Sequence, residues 1–106
     1  MHNLVVIFCT VPGDGTADKL ADSLVESKLA ACVNIIPGIK SVYCWQGKIE
    51  RDTEKLLLIK TVEQNTDKVF KFIEENHPYD VAERISIVSA KTGQDYLKWA
   101  IEYIEK

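Results

Sequence analysis

The period of the hydrophobic positions changes several times along the chain, and each change marks an element. Asn3 to Thr10 (NLVVIFCT) is a short apolar run closed by the turn formers Pro12-Gly13-Asp14-Gly15. This predicts a buried strand with Cys9 and Thr10 at its C-terminal end. Ala17, Leu20, Ala21, Leu24 and Lys28 then fall on one helical face, ringed by Asp18, Lys19, Asp22 and Glu26, with Asp14 or Thr16 able to cap the helix. From Cys32 the residues turn β-branched and aromatic (CVNIIPGIKSVYCW), and Pro37-Gly38 inside that strand argues for a bulge or an edge position. Gln46-Gly47 is a tight-turn signal, and Lys48 to Val62 returns as a second strand. Along it Leu56, Leu58 and Lys60 alternate with Leu57, Ile59 and Thr61. Asn65-Thr66 is expected to cap a helix with the core stripe Val69, Phe70, Ile73, which Pro78 stops. Val81 to Ala90 reads as a fourth strand, and Leu97, Ala100, Ile101 and Ile104 mark a C-terminal helix.

The order β-α-β-β-α-β with an added helix predicts an α+β, ferredoxin-like fold: an antiparallel sheet with helices on one face, in one domain over residues 1–106. The central hairpin is too long for that body. Val33 to Trp45 extends ~43 Å at ~3.3 Å per residue, whereas a domain of this size is only ~30–35 Å across. The hairpin is therefore expected to overhang its own sheet, with Tyr43, Cys44 and Trp45 at its tip as a pairing surface.

Charge and composition remove whole classes of function. The 106 residues carry a net charge of −3, and lysines and arginines are interspersed with acids, so the basic stripe of a nucleic-acid binder is missing. The strand Leu56–Thr61 has leucines and isoleucine where RNA-recognition domains place stacking aromatics. No apolar run approaches the ~18 residues of a membrane span, and the N-terminus lacks signal-peptide features. Three cysteines without CxxC spacing (Cys9, Cys32, Cys44) read as reduced thiols, so a cytoplasmic location is expected. The loop Val11–Gly15 has glycines but an Asp that repels phosphate and no adjacent Arg, and no nucleophile-elbow or metal-hydrolase motif is present, so no enzyme is expected.

Two residues stand out chemically. Cys9 at a strand end is either a soft ligand for copper or a small buried hydrophobe. His77, directly before Pro78, is either a metal ligand or a helix-ending residue favoured by the dipole. Cys32 sits in an apolar setting that speaks for packing; Cys44 stays open between packing and ligation. His2 is a weak ligand candidate.

The blocks LAACVNIIPGIKSVYCWQGKIE (Leu29–Glu50), LLLIKT (Leu56–Thr61), His77-Pro78-Tyr79, CTVP (Cys9–Pro12) and YLKW (Tyr96–Trp99) strongly resemble the CutA divalent-cation-tolerance family. The resemblance covers essentially the whole chain. It implies a small cytoplasmic protein assembled as a homotrimer, similar in architecture to PII signalling proteins, without an accepted enzymatic activity. It also implies tolerance to, and weak binding of, copper or another divalent cation, with Cys9 and His77 as the matching metal ligands. Other protein partners are unknown. Asn76 stands where some members have a second His, and Ala82 where a proline is usual. The alternative is a PII-like regulator binding a small ligand in an inter-subunit cleft lined by Trp45 and Tyr79, with Glu54, Lys60 and Glu83 as polar groups.

Overall fold

The computed structural model describes residues 3–106, so His2 lies outside the described residues. The order is β1 (Leu4–Pro12), α1 (Thr16–Glu26), β2 (Cys32–Trp45), β3 (Lys48–Val62), a 3-10 turn (Glu63–Asn65), α2 (Thr66–Asn76), β4 (Ile85–Val88) and α3 (Gln94–Glu105). The strands form one antiparallel sheet in the order β2-β3-β1-β4, the ferredoxin-like arrangement.

Strand alternation decides which face is dry. Val5, Ile7, Cys9 and Val11 of β1 and Leu57 and Ile59 of β3 are fully buried against Ala17, Leu20 and Leu24 of α1 and Val69 and Ile73 of α2. Each such large aliphatic stabilises by about 1.5–3 kcal/mol on burial. A cap is worth only about 1 kcal/mol, and neither α1 nor α2 has a side-chain cap bond. Packing, not capping, holds these helices. The expected caps act otherwise: Asp14 Oδ1 accepts the Thr16 N–H at 2.9 Å just outside α1, and Asn65 turns inward to donate to the Leu29 carbonyl at 3.2 Å.

The opposite face is covered only at one end. There α3 lays Leu97, Ala100 and Ile101 against Leu4, Ala31 and Val62, so the added helix packs on the side away from α1 and α2. Beyond it Val6, Phe8, Leu56 and Leu58 are half-buried, and Ile85 and Ile87 are 56% and 52% exposed. Register places Ile85 beside Phe8 and Ile87 beside Val6, so these side chains form one apolar surface.

The hairpin does overhang. β1 accompanies β3 only from Val62 to Glu54, whereas the β2–β3 ladder runs on to the pair Trp45 and Lys48. The molecule is consequently 45 Å long and 26 by 23 Å across. Pro37-Gly38 marks a register shift on an edge strand, with Gly38 at φ 73°, and does not fold the arm back. Gln46 and Gly47 both take positive φ, as a two-residue turn matched to strand twist requires.

The fourth strand is shorter than the expected Val81–Ala90. Only Ile85–Val88 pair with β1. Upstream of them Ala82 is buried in the core, and its carbonyl accepts from Arg84 at 2.7 Å. The segment between α2 and β4 is thus tied to side chains rather than to the sheet.

Candidate functional site

That segment closes a cleft at the root of the hairpin. His77 ends α2 in an extended conformation, and its ring turns back over β1. Nε2–H donates to the Thr10 carbonyl at 2.8 Å, and Nδ1 accepts the Tyr79 N–H at 3.1 Å. A carbonyl can only accept and an amide N–H only donate, so the two bonds select the neutral, Nε2-protonated ring. The Tyr79 ring lies 4.7 Å from the imidazole, and its hydroxyl donates to Glu54 Oε2 at 2.8 Å. Glu54 opposes Pro12 at the last rung shared by β1 and β3 and is 4% exposed. A chain of contacts therefore runs Thr10–His77–Tyr79–Glu54, joining β1, the segment after α2 and β3.

The cleft has a volume of about 650 Å³. Tyr43, Trp45, Tyr79 and Val81 form its apolar walls, and Glu54, Asp80 and Glu83 supply its charge. Burial, then the neighbouring Glu54, hold the Glu83 carboxyl above its ordinary range. Burial and the hydrogen bond to Glu54 push the Tyr79 phenol up. Tyr43, which donates to Asp52, is pushed up to about 12 chiefly by that bond.

Of the five residues expected around a cleft, Trp45, Glu54, Tyr79 and Glu83 line this one within a single subunit. Lys60 does not. Lys60 sits six residues along β3 from Glu54, paired with Val6 and Cys32, and its ammonium donates to Asn34. Tyr43, Asp80 and Thr10 also line the cleft. Tyr43 was legible as an aromatic at the hairpin tip; the Thr10 carbonyl, a backbone group, has no side-chain signal.

Cys9 and His77 are both next to Thr10, yet as folded neither is a ready metal ligand. Cys9 is fully buried, and burial foremost, with Glu83 next, pushes its thiol up to about 12. Ligation needs the thiolate, and forming it here costs about 4 kcal/mol more than in an ordinary thiol. Both ring nitrogens of His77 are already committed. Asn76 donates to the Phe72 carbonyl at 2.8 Å instead of completing a ligand set. Among the described residues no group of three His, Cys, Asp or Glu side chains is placed to hold a metal ion. A resident copper does not fit these donors. Cys32 is half-buried and Cys44 exposed; all three cysteines are free.

Comparison with known proteins agrees with the geometry of the fold. The family model for the CutA1 divalent ion tolerance protein matches residues 5–103. The chloroplastic protein CutA of Arabidopsis thaliana is 45% identical over 90% of this chain, which spans about half (52%) of that relative's length. The divalent-cation tolerance protein CutA of Thermus thermophilus is 42% identical over 92% of this chain and 94% of its own. The crystal structure of CutA from Xylella fastidiosa superposes with a TM-score of 0.93 at 36% identity, covering 96% of this chain and 98% of that one. With the family pattern matched from the first strand to the last helix, and the same fold in a solved relative, this chain belongs to the CutA1 divalent ion tolerance family.

Proposed function

We propose that this chain acts in divalent-cation tolerance as a cytoplasmic homotrimer. The observation that carries the reading is the apolar face of Phe8, Leu56, Leu58, Ile85 and Ile87, left open by all three helices beside an overhanging hairpin. A lone subunit rarely leaves such a contiguous patch in water, and three copies turning these faces inward would bury it. Free thiols, one of them exposed at Cys44, suit a reducing compartment. Among the described residues no group of three His, Cys, Asp or Glu side chains forms a preformed cage, which supports weak rather than tight binding of a divalent metal. Light scattering at micromolar concentration tests the assembly: a trimer mass is expected for the wild type, and a smaller species for Phe8→Glu with the far-ultraviolet circular dichroism unchanged. A monomer mass for the wild type overturns the reading.

The cleft favours a second reading, in which the trimer is a regulator responding to a small ligand, as PII-like proteins do. Growth of a cell lacking the protein in graded copper, restored by wild type but not by Glu54→Gln, would join the two readings.

A further inference from the structure

We draw no further inference here: the strongest candidate, the groove between α1 and α2 lined by Lys19, Asp22, Phe72, Glu75 and His77, carries nothing, because its one deeply buried polar side chain, His77, already has both ring nitrogens bonded and nothing in the structure shows what covers it.

Discussion

Replacing Cys9 by Ala should change how stability depends on alkali, in a direction set by the burial of the thiol. Cys9 is fully buried within β1, three residues before its end, and its thiol is pushed from 9.0 to about 12. The folded state thus favours the protonated thiol, while the unfolded chain ionises first. Unfolding therefore releases protons above pH 9, and stability falls as pH rises. The contribution is complete below the unfolded value and is lost as pH rises through the folded one. Two-state linkage gives a loss of roughly 1–2 kcal/mol at pH 10 and about 4 kcal/mol once both states have titrated. Guanidinium denaturation at pH 7, 9 and 10, at one protein concentration because assembly couples to folding, measures it in wild type and Cys9→Ala. Other alkaline groups titrate alike in both proteins and cancel. The wild type's advantage over the variant at pH 7 should shrink by roughly 1–2 kcal/mol at pH 10. An advantage that stays constant across this range would mean that Cys9 is not a buried thiol, and would return it to consideration as a thiolate ligand.

Two further outcomes follow from named contacts. Lys28, just past α1, holds φ 63°, a conformation that costs a non-glycine residue about 1–2 kcal/mol. Lys28→Gly forfeits the ammonium's contact with the Tyr103 ring and its bond to the Lys106 carbonyl, both at the surface. A net gain of about 0.5–1 kcal/mol is expected, seen as a Tm rise of a few degrees, and a lower Tm would show that the surface contacts outweigh the strain. The chain Thr10–His77–Tyr79–Glu54 should behave as a unit. A double-mutant cycle of His77→Ala and Tyr79→Phe is expected to show a coupling of about 0.5–3 kcal/mol, and additive effects would show two independent bonds.

The fold was legible because its signals are local or periodic. Leu57, Ile59 and Thr61 alternate with Leu56, Leu58 and Lys60, and the structure buries the first set and leaves the second half-buried. The overhang followed from counting residues between Val33 and Trp45 against the size of the body. Where the reading failed, a side chain had displaced a backbone rule. Val81–Arg84 was read as the start of the strand, but Tyr79 bonds to His77 and Glu54, and Ala82 enters the core, so β4 begins only at Ile85. Asn65 has the chemistry of a cap but donates to Leu29 across the fold, a partner 36 residues away that no local pattern reveals.

The same limit explains the site. Trp45, Glu54, Tyr79 and Glu83 lie on three separate segments, and only the bend after α2 brings them to one cleft. Sequence can name residues of suitable chemistry, but it cannot tell whether their donors are already spent. Cys9 and His77 are of the right type for copper, yet one is a dry thiol and the other a fully bonded imidazole. Lys60 was expected in a cleft between subunits; within one subunit its ammonium donates to Asn34. Glu54, which the sequence offered only as one polar group of a cleft, is the most deeply buried of them and is held by the Tyr79 hydroxyl. What the fold adds is the contact that ties these segments together, the Tyr79 hydroxyl donating to Glu54 across the cleft at 2.8 Å.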